Sequence, residues 1–318
     1  MHALIWPRPA TYSEISDAYV KYVEKRYKPR ITSVVFDGYD GPPSTKSMEQ
    51  KRRSAKKTSA NIVVNPEDFA TTPKDNFLGN NLNKSLLIKL VQRALTRAGY
   101  AVLQSESDAD SLIVRTALRV AEGSEVVAVV ATDTDILSLL LDHSPCDSNI
   151  SQIIPGPLAN EDLVHNITNL QKVLGHAKGL MLFIHSMSGC DTTSAFFGKG
   201  KTTALNLIRS NKDLAEKMKI FYKGGASISE IAAAGEEFIL AMYNGLRCKT
   251  LDELRVLQYK RTVGKQKLDD TFDFRTLPPS SSGAEPHSQR VYLQVRSKAF
   301  EGATTSKLGI QISKINAN

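Results

Sequence analysis

The stretch EVVAVVATDTDILSLLL, residues 125–141, decides the fold class of this chain. Its first seven residues are mostly valine and alanine, which is typical of a strand that is covered on both faces of a parallel sheet. The acidic run Thr132-Asp133-Thr134-Asp135 follows, and the apolar residues after it predict a helix that begins near Asp135. A strand that leads through acids into a helix indicates an α/β fold, whose ligands gather at the carboxyl ends of parallel strands.

The rest of the chain first continues this alternation and then departs from it. The first part predicts strands at 31–36 and 100–103, helices at 11–28, 84–98 and 108–121, and a loop at 65–80. After residue 160 the pattern predicts helices at 161–187, 201–222, 227–246 and 250–260. We therefore predict three regions: an α/β domain at 1–160 with a mostly parallel central sheet flanked by helices, a helical region at 161–262, and a loosely structured tail at 263–318.

Composition restricts the class of protein. The 318 residues are 41% hydrophobic and 23% charged, as in ordinary globular proteins. No apolar run reaches the ~18–20 residues that a membrane helix needs, and the N-terminus lacks the apolar stretch of a secretory signal. We expect an intracellular protein with no membrane partner. The three cysteines form no CxxC pair, so we expect reduced and mostly buried thiols rather than a zinc site.

Acidic residues follow each of the three predicted strands. They are Asp37, the pair Asp108 and Asp110, and the pair Asp133 and Asp135; a further acid, Asp191, follows an apolar segment in the run SGCD. Singly, each could be a turn former or a helix cap. Jointly, they predict a cluster of oxygen ligands that suits hard cations such as Mg²⁺ or Mn²⁺. Two such ions about 3.5–4 Å apart can promote phosphodiester hydrolysis.

Positive charge is concentrated in one segment. The net charge is only +8, but residues 46–57 carry six cations against a single acid, Glu49. These cations are Lys46, Lys51, Arg52, Arg53, Lys56 and Lys57. On a helix they would form either a phosphate-binding face or a solvated surface. Further along, the glycines of FFGKGK (196–201) precede a predicted helix, a pattern that presents backbone N–H groups to anions.

Five motifs in this order resemble the flap endonuclease/XPG structure-specific nucleases, which have a PIN-like fold. The motifs are VVFDG at 34–38, SDADS at 107–111, ATDTDILSLL at 131–140, SGCDTT at 188–193 and FFGKGKTTALNLI at 196–208. The last is similar to the helix–two-turn–helix of that family. The sequences of these motifs are most similar to those of the family's asteroid-like members. The resemblance covers roughly residues 10–260.

The resemblance implies a nuclear, Mg²⁺- or Mn²⁺-dependent nuclease that binds two ions and acts on nucleic acid, with DNA favoured over RNA. Asp37, Asp108 and Asp110 would bind the first metal, and Asp133, Asp135 and Asp191 the second. Lys46 and Arg53 would act on the scissile phosphate. Nucleic acid would also contact Lys51, Arg52, Lys56, Lys57, Gly198, Lys199, Gly200 and Lys201.

One departure from the family pattern leaves an alternative open. The family begins with a strand that carries an Asp, but no acid precedes Glu14 here, so we expect that N-terminal strand to be missing. The chain could then be a catalytically impaired nucleic-acid-binding or scaffold protein that retains the nuclease fold. His185 lies on an apolar stretch beside the predicted site, and we expect it to be a packed core residue rather than a metal ligand.

Overall fold

The computed structural model describes residues 4–38, 58–106, 109–123, 126–156, 161–264 and 272–299. The chain divides into two compact units, Met1–Val129 and Val130–Asn318. The division falls at the end of the strand that opens the deciding stretch, rather than at residue 160 as the sequence predicts. The reason lies in residues 131–154, which pair among themselves: Ala131 N–H donates to Ile153 C=O, and the Gln152 amide donates to the carbonyls of Ala131 and Asp133.

The first unit consists of helices on a small parallel sheet. Strands β1 (Ser33–Phe36) and β2 (Ala101–Gln104) pair in parallel, with Ser33 opposite Ala101 and Phe36 opposite Gln104. The helices are α1 (Tyr12–Glu24), α2 (Lys74–Gly79), α3 (Asn81–Arg97) and α4 (Asp110–Ala121), and strand β3 (Val127–Val130) lies at the division. These bounds confirm the predicted strands and helices to within a few residues. Helix α2 corrects the predicted loop at 65–80, because Phe77 and Leu78 are buried in the core.

Local sequence explains where helix α1 begins and which face it buries. Thr11 and Glu14 form a capping box, in which each side chain accepts a backbone N–H of the other residue. Ile15 and Tyr19 then face a core that contains Trp6 and Phe77. The Trp6 indole donates a hydrogen bond to the Tyr19 hydroxyl at 3.1 Å, so the polar atoms of both buried rings are satisfied.

The second unit is mostly helical. Strands β4 (Ile150–Ile154) and β5 (Leu163–Asn166) pair antiparallel, with Ser151 opposite Asn166. The helices are α5 (Thr134–His143), α6 (Ile167–Leu174), α7 (Met181–Met187), α8 (Lys201–Ser210), α9 (Lys212–Met218), α10 (Ile228–Met242), α11 (Leu251–Val263) and α12 (Ser281–Lys298). Phe183, Phe221 and Phe238 form its aromatic centre, with ring centroids 4.7 and 4.8 Å from Phe183.

Two long predicted helices are interrupted. Residues 163–166 are strand β5, and the segment from Gly175 to Leu180 is a 3-10 helix, so the helix predicted at 161–187 is wrong over these parts. Gly175 has a φ of +58°, which ends α6. Asn211 divides the segment predicted as one helix at 201–222, because its side chain accepts the Leu214 N–H and caps α9.

The predicted loose tail is corrected by helix α12. Ser280 caps it by accepting the Gly283 N–H. Its buried residues include Ala284, Ser288, Val291 and Val295 at helical spacing, together with His287. At Gly235 on α10 this face approaches so closely that a Cβ there would lie 1.9 Å from the Ser288 hydroxyl. Small residues on both helices therefore permit the packing.

The α/β class is confirmed. Within the described residues, however, the strands form two small sheets, one parallel and one containing an antiparallel pair, instead of one mostly parallel central sheet. No helix among the described residues is long and apolar enough to cross a membrane. The three cysteines are free, as expected, but none is buried: Cys146 is exposed and the other two are half-buried.

Candidate carboxylate site

In the first unit, Asp37 lies where β1 ends. Its Oδ1 accepts the Ala109 N–H at 3.1 Å, so its carboxylate lies at the start of α4. The next residue, Gly38, passes so close to β2 that a Cβ would lie 2.2 Å from the Ser105 carbonyl oxygen. The Asp-Gly pair of the FDG motif thus has two physical roles: the acid accepts a hydrogen bond at a helix start, and the glycine allows a close approach to the backbone that follows the neighbouring strand.

Asp110 begins helix α4, immediately after Ala109. Its side chain is buried, with 6% of the residue exposed. The structure therefore brings Asp37 to the start of the helix that carries Asp110, from 72 residues away in the chain. A cation also acts here: burial lowers the pKa of Lys84 on α3, and the charge of Asp37 partly opposes that shift. Sequence reasoning missed Lys84, which looks like any lysine on an amphipathic helix.

In the second unit, Asp133 and Asp135 lie at the start of α5. Asp133 is the N-cap: its Oδ1 accepts the Asp135 N–H at 2.9 Å. Asp135 stands in the first turn, where a negative charge is favoured by the helix dipole. Its Oδ1 lies 2.9 Å from Nε2 of His185 on α7. The cap hydrogen bond thus orients the Asp133 side chain, and the contact with His185 orients that of Asp135.

His185 is the residue of the candidate site whose contacts the sequence did not predict. It is buried, as predicted, with 4% of its surface exposed, but it also contacts Asp135. Burial by itself would lower its pKa, yet the close contacts with Asp135 and Cys190 and the charge of Asp135 outweigh burial. Together they raise the pKa of His185 to about 9, against a small opposing effect of Lys201. The imidazole is therefore a cation at neutral pH.

The loop after α7 carries Cys190 and Asp191. Cys190 and Thr193 exchange two backbone hydrogen bonds of 3.3 Å, which makes a tight turn with Asp191 exposed on it. Gly189 has a φ of +107°, and a Cβ there would lie 2.7 Å from Ala195. Burial raises the pKa of the Cys190 thiol, but the contact with His185 and the hydrogen bonds shared with Thr192 and Thr193 outweigh it and lower the pKa to about 7. His185 thus connects Asp135 with the turn that carries Asp191.

The glycine segment before α8 forms a turn. Lys199 N–H donates to Phe196 C=O at 3.1 Å, and Gly198 has a φ of +67° that favours glycine. Gly200 is the N-cap of α8 and offers no side chain. Both lysines contact the protein itself: the Lys199 ammonium lies 5.3 Å from the Tyr243 ring centroid, and Lys201 donates to the Gly189 carbonyl at 2.9 Å. This hydrogen bond from Lys201 stabilises the turn that carries Asp191.

The predicted residues Lys46, Lys51, Arg52, Arg53, Lys56, Lys57 and Asp108 lie outside the described residues. In the part of the chain that is described, no group of three or more His, Cys, Asp or Glu side chains is arranged to hold a metal ion. What the structure brings together is Asp37 with the start of α4, and Asp133 with Asp135 and His185.

Comparison with known proteins returns no family model, no curated protein and no solved structure that matches this chain. The resemblance to the flap endonucleases therefore rests on the five motifs, and it remains a prediction.

Proposed function

We propose that this protein is a divalent-metal-dependent nuclease that hydrolyses phosphodiester bonds, with DNA favoured over RNA and the nucleus as its location. The observation that carries the proposal is the hydrogen bond from Ala109 N–H to Asp37. It places one predicted ligand beside the start of the helix that carries another, Asp110. Two acids with no sequence proximity share one end of a parallel strand pair, where ligands of α/β folds bind.

The donor atoms suit the predicted metal. Oxygen ligands from carboxylates are those that Mg²⁺ and Mn²⁺ prefer. Asp37, Asp108 and Asp110 would hold one ion, and Asp133, Asp135 and Asp191 the other. A bound ion would lower the pKa of a coordinated water and neutralise charge on a phosphate. His185 would orient Asp135 through one carboxylate oxygen and leave the other for a ligand, as outer-shell partners of metal sites do.

The same histidine favours a second candidate, a nucleic-acid-binding protein without hydrolysis. A charged imidazole 2.9 Å from Asp135 neutralises that carboxylate without any metal. A protein that had lost its metal could retain its fold in this way. The two candidates differ in what Mg²⁺ does: it is required for turnover in the first and has no effect on binding in the second.

The test compares the wild type with Asp133→Asn/Asp135→Asn on labelled flap, single-stranded and duplex substrates with Mg²⁺ or Mn²⁺. Asparagine keeps the helix cap, so a loss of activity does not reflect a lost cap. Asp147→Ala/Asp213→Ala, which removes two exposed acids of the same unit, is the matched control. We expect at least a 100-fold loss of cleavage in the first variant and none in the control. Cleavage that survives the first substitution would rule out the site, and binding without cleavage in the wild type would establish the second candidate.

A further inference from the structure

The first unit contains an open groove of about 960 Å³ between α1 and α3. One side is formed by α3, which contributes Lys89, Arg93 and Arg97. These cations are spaced i, i+4 and i+8, so they lie on one helix face and span about 12 Å along the axis. None of the three lies within ion-pair distance of an acid in the described part of the chain. These three exposed cations lie in a row along one wall of the groove, which suits a ligand with a row of anions. We call them the cation track.

The other side of the groove comes from α1 and the turn before α2. It contributes Ser16, Asp17 and Glu67. Ser16 is 4% exposed, and its hydroxyl has no hydrogen-bond partner among the residues that the structure describes. A buried polar group without a partner is uncommon in native proteins and calls for a ligand or water. The two acids face the cations across the groove, so its charge pattern suits a ligand with anions on one side and hydrogen-bond donors on the other.

Two hydrogen bonds link the wall of the groove to the backbone at Asp37. Gln92 and Gln104 both line it, and the Gln92 amide donates to the Gln104 side chain at 3.1 Å. The other atom of the Gln104 amide, Nε2, donates to the Asp37 carbonyl oxygen at 3.2 Å. A chain of two side chains thus connects the groove with the residue that begins the first carboxylate group.

We propose that the α1–α3 groove binds the phosphodiester backbone of a single strand of nucleic acid. The cations of α3 contact successive phosphates, while the acids of the opposite side accept hydrogen bonds from base amino groups or sugar hydroxyls. A single row of cations suits one backbone, whereas a duplex presents two. The inference rests on the proposed function for its choice of ligand, but binding to the groove requires no hydrolysis.

The experiment measures binding of a fluorescently labelled single-stranded oligonucleotide by anisotropy, in EDTA, over a range of salt concentrations. Lys89→Ala/Arg93→Ala/Arg97→Ala removes the cation track. Lys21→Ala/Lys25→Ala/Lys28→Ala removes three exposed charges from the same unit, outside the groove, and is the matched control. Each single-strand phosphate contact contributes about 0.7 to the slope of log K against log salt. We therefore expect the variant without the cation track to lower the slope by about 2 and to weaken binding at least tenfold, with little change in the control.

Each other outcome would overturn the inference. Equal losses in both triple variants would show that only net charge matters, and no loss in either would show that the groove does not bind the strand. Displacement of the oligonucleotide by a mononucleotide at equal phosphate concentration would identify a nucleotide pocket instead. Because EDTA excludes metal-dependent cleavage, a failure of the nuclease proposal leaves this measurement unaffected, and the two failures can be told apart.

Discussion

In the first unit the carboxylate of Asp37 is held by a backbone amide at the start of α4, whereas in the second unit Asp135 is held by the buried imidazole of His185. A neutral amide orients a carboxylate without cancelling its charge. An imidazolium orients the carboxylate and also cancels its charge. The carboxylate of Asp37 therefore keeps its negative charge, while that of Asp135 is already partly neutralised by the imidazole. The comparison shows that acids in similar positions along an α/β chain can have different electrostatic roles.

The largest effect is expected from replacing the cation of the second unit. His185→Leu leaves Asp135 without its counter-charge, and loss of one partner from a buried pair is strongly destabilising. Because the Asp135 side chain is 18% exposed, we expect a loss toward the lower end, about 2–4 kcal/mol in the free energy of unfolding at pH 7. Urea denaturation measures this loss.

Two further variants separate the ion pair from packing. His185→Gln can still donate a hydrogen bond to Asp135 and should lose less than His185→Leu. Asp135→Asn/His185→Leu removes both charges and should recover part of the stability, as expected for coupled neighbours. If the double variant is no more stable than His185→Leu, the contact with Asp135 contributes little and the histidine acts through packing alone.

Asp142 is a buried acid of the second unit that, among the described residues, has no cation within hydrogen-bond distance. Its Oδ1 accepts a hydrogen bond from the Tyr222 hydroxyl at 3.3 Å, while His143 Nδ1 lies 3.8 Å from Oδ2, beyond hydrogen-bond distance. Burial raises the pKa of Asp142 to about 6, although the hydrogen bond from Tyr222 opposes the shift. Since the folded pKa lies above the unfolded one, the stability from Asp142 is present at low pH and is lost as pH rises through about 6.

The Asp142→Asn variant should not show this loss. Relative to the wild type, we expect it to gain about 2 kcal/mol between pH 4 and pH 7, on the basis of about 1.4 kcal/mol for each unit of pKa shift. Urea denaturation of both proteins at the two pH values gives the difference. An equal pH dependence in wild type and variant would mean that the His143 ring, despite its distance, compensates the buried charge.

The sequence predicts local structure where one physical signal dominates. The strands that end at Phe36 and before Asp133 are short runs rich in β-branched residues and followed by acids, and both are found. Strand β5 was missed because its four residues, LVHN, show no alternation and lead directly into a helix. Helix α12 was missed because its first turns contain serines, Gly283 and Pro286, and its buried face begins with small residues rather than large apolar ones.

The acids of the candidate site were also predictable from the sequence, because they follow predicted strands. Acids after strands can be identified from the chain alone, since a strand end and a following helix are local features. The contacts of His185 and Lys84 cannot be, because His185 is 50 residues from Asp135 and the distance from Lys84 to Asp37 is set by the packing of α3. The one signal for His185 was its place in the apolar run before Cys190 and Asp191.

The smallest effect is expected at Lys84, the cation of the first unit. Burial lowers its pKa and Asp37 only partly opposes the shift, so the folded protein holds this charge at a net cost. Lys84→Met keeps the apolar stem and removes the charge. We therefore expect a change of no more than about 1 kcal/mol, in the stabilising direction, opposite in sign to His185→Leu. Lys89→Met, an exposed position on the same helix, is the control and should change stability by less than about 0.5 kcal/mol. A loss of 2 kcal/mol or more at Lys84 would mean that both units neutralise their acids with a structural cation, and the contrast between them would disappear.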